Sequence, residues 1–283
     1  MPKTLLGIIA SPRKNGNCEL FTKSIYLQLE GHWELRLMRL PELDIRPCKA
    51  CYRCLFDGMR CPQADDFLTS LEELAGADAV VVSAPAYLLA ANAGLKKFLD
   101  RGLQFYSFVD QLWGKPAVAV AVAGIEGMEG STKLDVERFV KLTMGDLRGS
   151  AVVYGALPGE TLLSARNRNT ASLLAQNLSG TLRQEKADNP ACPLCGSDTF
   201  RFLPGGRIRC MQCSSAGRYE WSQYGLKIEA VPGRHPLFFS KEDALRHAEW
   251  LRGMKGRFLE RRGELKEVAK EFKVQVNWVG KKA

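Results

Sequence analysis

The stretch TLLGIIASPRKNGN, residues 4–17, indicates the fold class of this 283-residue chain. A near-continuous apolar run leads into a polar loop rich in turn residues, and a helical pattern of apolar residues begins at residue 17. Four further runs follow, WELRLMRL from residue 33, DAVVVSAP from 78, PAVAVAVAG from 116 and SAVVYGAL from 150. Apolar strands that alternate with helical patterns are typical of a parallel sheet covered on both faces. We therefore predict an α/β fold with a doubly wound, five-stranded parallel sheet.

The pattern of strands and helices ends near residue 180, where the composition changes. The polar segment TLRQEKADNP follows and ends in proline, which is typical of a linker. Ser240 and Asp243 form a capping box that predicts the start of one or two C-terminal helices. In these helices, Trp250, Phe258 and Leu265 are the expected face that docks on the domain or on a partner chain. We predict an α/β domain at 1–180, a linker at 181–189, a cysteine-bearing module at 190–230 and a basic helical extension at 231–283.

The formal net charge of the chain is +9 and is unevenly distributed. Residues 240–283 contain twelve Lys or Arg residues against seven Asp or Glu residues, so over half of the excess positive charge lies there. Such a balance suits anionic partners, for example acidic redox proteins or phosphorylated cofactors. The acidic residues interleaved in these helices disfavour nucleic acid as a partner.

The sequence also bears on the compartment. No apolar run approaches the roughly 20 residues that cross a bilayer, and the first residues lack the features of a secretory signal. We therefore expect a cytoplasmic protein without a membrane partner. The nine cysteines would then stay reduced and serve metal binding or redox chemistry rather than disulfides.

Three loops are candidates for a cofactor site, because ligands of open α/β sheets bind beyond the carboxyl ends of the strands. The loop SPRKNGN after the first strand supplies hydroxyl, guanidinium and backbone N–H donors at the start of a helix, which suits a phosphate. Pro85, Ala86 and Tyr87 after the third strand form a shelf with an aromatic face, and glycines 124, 127 and 130 allow a planar ring to approach the backbone. These features predict a mononucleotide with a large flat ring, while the absence of G-x-G-x-x-G and of a P-loop disfavours a dinucleotide or ATP.

Three motifs in this order and spacing resemble the flavodoxin-like NAD(P)H-dependent FMN reductases: S-P-R-x-x-G-N from residue 11, P-x-Y from 85 and L-K-x-F-L-D-R from 95. The likeness covers roughly residues 1–180, and the cysteine run after the second strand is similar to that of the iron-sulfur flavoproteins. The resemblance implies a flavodoxin-like fold, FMN as cofactor and NAD(P)H or a reduced carrier as electron donor. It also implies a homo-oligomer, either a dimer or a tetramer.

The resemblance further assigns the cofactor-binding residues. The FMN phosphate would be held by Ser11, Arg13, Asn15, Gly16, Asn17 and Cys18, and the isoalloxazine would be bordered by Pro85, Ala86, Tyr87, Leu88 and Gly124. Cys18 departs from the family pattern, which usually has Ser or Thr at this position. A thiol is a poorer hydrogen-bond donor than a hydroxyl, so the backbone N–H would have to suffice or binding would be weaker.

The first cysteine quartet is Cys48, Cys51, Cys54 and Cys61, with the spacing C-x2-C-x2-C-x6-C. Such a run lets one loop wrap three corners of a cubane, with Cys61 before Pro62 as fourth ligand, and it predicts a [4Fe-4S] cluster. A thiol-rich loop without metal and a zinc site are the alternatives. Zinc sites more often use two C-x2-C knuckles separated by a longer loop.

The second quartet is Cys192, Cys195, Cys210 and Cys213, with the spacing C-x2-C-x14-C-x2-C. Two knuckles of this kind present four sulfurs tetrahedrally, and a metal replaces the core that so small a module cannot build. We predict a structural Zn²⁺ in a zinc ribbon. The alternative is a single iron of rubredoxin type, suggested by CPLCG at 192–196, although CMQCSS lacks the matching Pro and Gly.

The sequence therefore predicts an FMN-dependent oxidoreductase that moves electrons from NAD(P)H or a reduced carrier to an acceptor. The redox chemistry belongs to the cofactor, so we expect no catalytic side chain, and we assign no catalytic role to His32, His235 or His247. One alternative is a redox-sensing adaptor that binds nucleic acid or protein through the ribbon and the basic helices. A third reading is an electron carrier that does not react with NAD(P)H.

Overall fold

The computed structural model describes residues 2–56, 60–180, 190–223, 225–233, 239–276 and 279–280. Its larger sheet contains β1 (Lys3–Ile9), β2 (Trp33–Arg39), β3 (Ala79–Tyr87), β4 (Ala90–Ala91), β5 (Pro116–Ala123) and β6 (Asp146–Tyr154). The strand order is β2-β1-β3-β5-β6, and all four pairings along this path are parallel. The predicted five-stranded parallel sheet is therefore confirmed. The two-residue β4 pairs antiparallel with β3 and adds a sixth strand that the sequence did not predict.

Helices cover both faces of this sheet. They are α1 (Asn17–Tyr26), α2 (Phe67–Gly76), α3 (Ala93–Leu99), α4 (Val109–Leu112), α5 (Thr132–Leu142) and α6 (Ala165–Ser179). Helices α1 and α6 contribute to one buried apolar cluster, while α2 to α5 contribute to a second cluster on the opposite face. The sheet is thus doubly wound, with the strand order of the flavodoxin-like fold.

The chain after residue 189 forms a second, smaller sheet. Its strands are β7 (Phe200–Leu203), β8 (Arg207–Cys210), β9 (Ala216–Ser222) and β10 (Gly225–Val231), and they form an antiparallel meander in the order β10-β9-β8-β7. The predicted linker at 181–189 lies outside the described residues. Antiparallel strands connected by short turns need no crossover helix, which explains how a small module can form a sheet.

Two helices end the described chain, α7 (Lys241–Glu260) and α8 (Arg262–Glu271). Helix α7 starts with the predicted capping box, in which the Ser240 hydroxyl accepts from Asp243 N and the Asp243 carboxylate accepts from Ser240 N. Among the described residues, no helix has both the length and the apolar character needed to cross a membrane.

Helix α7 docks on the domain through residues other than the predicted face, and docking of that face on a partner chain stays a prediction. Ala244, Ala248 and Leu251 join the buried cluster that α2 to α5 form, whereas Trp250, Phe258 and Leu265 are 45%, 53% and 40% exposed. Small alanine side chains allow the helix backbone to approach the core closely, and a large aromatic side chain at those positions would hold it away.

Candidate cofactor and metal sites

The loop between β1 and α1 lies at the carboxyl edge of the parallel sheet. Gly16 is the N-cap of α1, and no side chain among the described residues caps this helix start. A Cβ atom at Gly16 would lie 3.0 Å from the Arg13 Cβ, so the tight turn favours glycine. Backbone N–H groups of the first helical turn have no intrahelical partner and carry the positive end of the helix dipole. This arrangement suits an anionic group.

Arg39, at the end of β2, fixes the shape of this loop. Its guanidinium donates to the carbonyls of Ser11 (3.2 Å) and Arg13 (2.9 Å) and forms an ion pair with Glu19 at 2.5 Å. Sequence reasoning missed Arg39, although its position at a strand end could have pointed to the same sheet edge.

Glu19 is the buried carboxylate of this loop, at 5% exposure. It accepts from Asn15 N at 2.8 Å and bonds Lys23 Nζ at 2.6 Å in addition to Arg39. Burial alone would raise the pKa of Glu19, but the bonds from Lys23, Arg39 and Asn15 outweigh it and lower the pKa to about 2. Glu19 therefore stays ionised and holds Asn15 in its left-handed conformation, with φ at 53°.

The side chains of Asn17 and Cys18 point away from the loop surface. The Asn17 amide donates to Gly155 O at 2.8 Å, and its oxygen accepts from Gly159 N at 2.8 Å, which connects the loop to the segment after β6. The Cys18 thiol is 1% exposed in the apolar core, and burial raises its pKa to about 11. Only the backbone N–H groups of these two residues remain as phosphate donors. This burial leaves the backbone N–H of Cys18 as its donor to a phosphate, and a weakly polar thiol packs well among apolar residues.

The remaining predicted phosphate residues lie at the surface of the loop or shape it. Ser11 is 4% exposed, and its hydroxyl accepts from Arg13 N at 3.2 Å. Arg13 and Asn15 are exposed beside the helix start. The loop thus presents one guanidinium and several backbone donors rather than a row of hydroxyls.

The predicted shelf of Pro85, Ala86 and Tyr87 does not follow β3 but is its last part, which forms a tight hairpin with β4. Ala86 pairs with Ala91 and Tyr87 with Ala90, and the two turn residues Leu88 and Leu89 have φ values of 51° and 65°. Left-handed conformations are costly for residues with a Cβ atom. Tyr87 is 43% exposed and Leu88 fully so, which leaves an apolar surface open at the sheet edge.

The glycine loop after β5 holds this hairpin in place. Ser131 N donates to Leu89 O at 2.7 Å, and the Asp135 carboxylate accepts from Ala91 N and from the Ser131 hydroxyl, both at 3.0 Å. Gly130 has φ 53°, and a Cβ atom there would overlap the Leu89 carbonyl. Gly124 is exposed at the same edge, with Ala156 across from it. The three predicted cofactor loops therefore meet at one edge of the sheet.

The first cysteine quartet lies on a loop whose base is closed by a buried ion pair. Arg101 and Asp65 meet at 2.6 Å with both side chains 1% exposed. Arg101 also donates to Arg46 O at 2.9 Å and to the Cys61 sulfur at 3.1 Å, and Asp65 accepts from Arg46 N at 3.0 Å. A buried ion pair with this many hydrogen bonds fixes the two ends of the loop. Arg101 is the last residue of the L-K-x-F-L-D-R motif.

The sulfurs of the first quartet are spread along this loop. Cys48 and Cys51 are exposed, whereas Cys54 and Cys61 are half-buried. Burial, together with Cys61, Cys48 and Cys51 nearby, raises the pKa of Cys54 to about 11. Within the described residues, no three of these four sulfurs lie as close together as ligands of one ion would. In a cubane each cysteine binds a different iron, so its four ligand sulfurs lie farther apart than those of one tetrahedral ion.

The chain conformation fits a loop that wraps a ligand. Ala50 and Tyr52, between the cysteines, have φ values of 49° and 59°. Such conformations persist only where surrounding structure or a bound group supports them. Gly58, at which the sequence predicts a turn between Cys54 and Cys61, lies outside the described residues.

The second quartet is a four-cysteine metal-binding site. The sulfurs of Cys192, Cys195, Cys210 and Cys213 all lie within 4.8 Å of one another. The sulfur atoms of Cys192 and Cys213 are 3.8 Å apart, and those of Cys195 and Cys210 are 3.5 Å apart, which is too far for disulfide bonds. All nine cysteines of the chain are free thiols. Four sulfurs at ~2.3 Å from one tetrahedral centre would be separated by about 3.8 Å. Zn²⁺ and a single iron fit this geometry alike.

The structure describes two of the three histidines to which the sequence assigns no catalytic role. His32 is exposed beyond the opposite end of the sheet, where its carbonyl accepts from Lys3 N. His247 stacks on Trp250 with ring centroids 5.6 Å apart, near Tyr106. His235 lies outside the described residues.

Comparison with known proteins supports the arrangement of the N-terminal part. The family described as NADPH-dependent FMN reductase matches residues 4–155, which is more than half of the chain. An iron-sulfur flavoprotein of Archaeoglobus fulgidus is 31% identical over 156 residues, which cover 55% of this chain and 70% of that protein. An iron-sulfur flavoprotein of Methanosarcina thermophila is 31% identical over 121 residues, which cover 42% of this chain and 63% of the relative.

A solved structure matches almost the whole chain. It is named flavone reductase, and it superposes with a TM-score of 0.69 over 97% of this chain and 99% of its own, at 17% sequence identity. At this identity the likeness concerns the fold alone. It includes the small antiparallel sheet and the C-terminal helices as well as the parallel sheet.

Proposed function

The chain belongs to the NADPH-dependent FMN reductase family and is an FMN-dependent oxidoreductase, and we propose that its FMN lies across the carboxyl edge of the parallel sheet. The phosphate would receive hydrogen bonds from the N–H groups of Asn17 and Cys18 in the first turn of α1 and from the Arg13 guanidinium. The observation that carries this proposal is that no side chain caps the start of α1, in a loop whose conformation Arg39 fixes by hydrogen bonds to its carbonyls.

The isoalloxazine would lie along Pro85, Ala86, Tyr87 and Leu88, with Gly124 at its edge. Tyr87, Leu88 and Gly124 are exposed and Pro85 and Ala86 are half-buried. The glycine loop holds the turn of this hairpin through the bond from Ser131 N to Leu89 O. When bound, FMN supplies the redox chemistry, accepting a hydride from a nicotinamide and passing electrons to an acceptor. The residues of this chain bind and orient it, and we assign no general acid or base to a side chain.

We further propose that the first quartet holds a [4Fe-4S] cluster. The two relatives are named iron-sulfur flavoproteins. In this chain, the closed loop base, the left-handed residues between the cysteines and the hydrogen bond from Arg101 to the Cys61 sulfur all support such a ligand. A reduced loop without metal is the alternative outcome.

For the second quartet we propose Zn²⁺ with a structural role. Four thiolates on two knuckles make a closed site without an open coordination position, as is usual for structural zinc. Rubredoxin-type iron would fit the same sulfurs, and metal analysis decides between them.

The electron donor in this family is NAD(P)H, and we propose that this chain also uses it. We also propose a homo-oligomer, because exposed apolar residues such as Leu88 border the site. A cytoplasmic location is proposed because nine free thiols suit a reducing compartment. The alternative adaptor function receives no support from the family or from the relatives.

Anaerobic purification with absorption spectroscopy and metal analysis tests the proposal. We expect FMN bound at about one per chain, with about four irons and about one zinc. NADPH should bleach the flavin absorption. Protein that stays colourless and does not bind FMN at micromolar concentration contradicts the proposed function.

Two variants separate the metal sites. Cys54→Ser should lose iron while it keeps zinc and FMN, and Cys213→Ser should lose zinc while it keeps iron. Equal iron content in wild type and Cys54→Ser would place the iron elsewhere.

A further inference from the structure

Helix α5 connects the small antiparallel sheet to the proposed flavin site. On the side of the second cysteine quartet, Arg138 donates to Met211 O at 2.6 Å, and Lys133 pairs with Asp198 at 3.0 Å. Met211 follows Cys210 directly and lies within the second knuckle. Two basic side chains of one helix therefore contact the segment that the metal would hold.

The start of α5 contacts the flavin-binding hairpin. Asp135 accepts from Ala91 N and from the Ser131 hydroxyl, and Ser131 N donates to Leu89 O. The Arg138 guanidinium lies 3.8 Å from the Asp135 carboxylate. A continuous series of polar contacts thus runs from the knuckle through Arg138 and Asp135 to the hairpin.

Arg138 and Lys133 each have an acidic partner on α5, but they contact different groups of the small module, a backbone carbonyl and a side-chain carboxylate. Lys133 also pairs with Glu137 at 2.7 Å, and Glu137 accepts from the Ser150 hydroxyl, so Lys133 retains a partner within the larger domain. The contact of Arg138 with the knuckle is to a backbone carbonyl, whose position depends on the fold of the four-cysteine loops. Loops of this kind are ordered by their metal.

We propose that Arg138 is a positioning residue through which the metal of the second quartet supports the hairpin that binds the flavin ring. The inference rests on the proposed position of FMN. With the metal bound, Met211 O is a fixed acceptor for Arg138, and Arg138 then holds Asp135 against Ala91 N. Without the metal, the carbonyl moves and the hairpin, with its two left-handed leucines, loses part of its support. The four-cysteine site and the flavin site are therefore energetically coupled.

The test is a double-mutant cycle on the full chain, with FMN affinity measured by quenching of FMN fluorescence. We expect Arg138→Met to keep its zinc and to bind FMN about fivefold more weakly than wild type. Cys213→Ser, which lacks the metal, should show a similar loss. The double variant should bind FMN no more weakly than Cys213→Ser alone, because both changes break the same connection.

Arg148→Met is the matched control, since Arg148 pairs with Asp146 and Leu178 O at the other end of the domain. It should bind FMN as wild type does, and Arg138→Lys should recover part of the affinity. Losses that multiply in the double variant, or an unchanged affinity in Cys213→Ser, would overturn the proposal. If Cys213→Ser does not fold, the comparison of Arg138→Met with Arg148→Met decides. A wild-type chain that binds no FMN contradicts the proposed function instead.

Discussion

The side chains of Glu19 and Arg39 fix the backbone of the proposed phosphate-binding loop through hydrogen bonds. Glu19 is buried under a loop that carries Arg13 and Lys14 on its surface, and three donors compensate its charge. A buried carboxylate without such donors would be strongly destabilising. The pair therefore fixes the loop and leaves the surface positive charges for an anion.

In the Glu19→Gln variant, the free energy of unfolding should depend less on pH than in wild type. Because the folded-state pKa is lowered from 4.5 to about 2, the carboxylate stabilises the fold fully above pH 4.5, and this contribution is lost as the pH falls toward 2. We expect Glu19→Gln to lower the free energy of unfolding by about 2 kcal/mol at pH 7, measured by urea denaturation. The difference from wild type should shrink between pH 5 and pH 3.

Glu34→Gln, on the exposed face of β2, is the control and should leave stability nearly unchanged. A difference between wild type and Glu19→Gln that stays constant from pH 7 to pH 3 would contradict this assignment.

At the scale of elements, the hairpin of β3 and β4 depends on the loop before α5. Leu88 and Leu89 adopt left-handed conformations without glycine or asparagine in the turn. The conformational cost is offset by the bond from Ser131 N to Leu89 O and by backbone contact at Gly130. The hairpin and the loop before α5 therefore stabilise each other's conformation.

Two glycine substitutions separate the effect of the contact between Gly130 and the Leu89 carbonyl from the cost of a positive φ angle alone. Gly130 and Gly127 both have positive φ, at 53° and 78°, but only Gly130 faces the Leu89 carbonyl, while the space around Gly127 is open. We expect Gly127→Ala to cost about 1 kcal/mol for its conformation. Gly130→Ala should cost more and weaken FMN binding about tenfold or more, since the hairpin must shift.

Thermal unfolding and FMN titration measure the two effects. Equal losses of FMN affinity in both variants would mean that the hairpin does not depend on the Gly130 contact.

The sequence predicted these elements only in part. Apolar runs located all five parallel strands, but β4 has no signal, because its turn lacks the residues that usually mark a two-residue hairpin. Apolar residues recur at helical spacing over residues 92–106, but α3 ends at Leu99 and a 3₁₀ segment begins at Gly102. Between them, Arg101 reaches Asp65, a pairing between residues 36 positions apart that no local pattern contains.

At the scale of the whole molecule, helix α7 is part of the main core. Ala244 and Ala248 are fully buried with the cluster of α2 to α5, and Lys241 pairs with Asp110 at 2.5 Å. The C-terminal extension therefore stabilises the larger domain, while α8 has no buried residue.

Two substitutions on α7 should have opposite effects on stability. Ala248→Leu inserts a larger side chain into a filled space and should lower the free energy of unfolding by about 1–3 kcal/mol. Gly253→Ala, where no atom lies within 4 Å of the added Cβ, should raise it by up to about 1 kcal/mol through helix propensity. Denaturant unfolding measures both, and a neutral Ala248→Leu would show that α7 is not packed on the core.

The sequence by itself determined the class of fold, the family and the two cysteine quartets, because these depend on local periodicity and on the spacing of ligands along the chain. Tertiary structure alone decided that the Cys18 thiol is buried, that Arg39 and Glu19 hold the phosphate loop, that Arg101 meets Cys61 and that α7 docks through alanines. Each of these contacts joins residues on different elements, and its free energy depends on how the elements pack. Packing is a property of the whole folded chain, so no short segment encodes it.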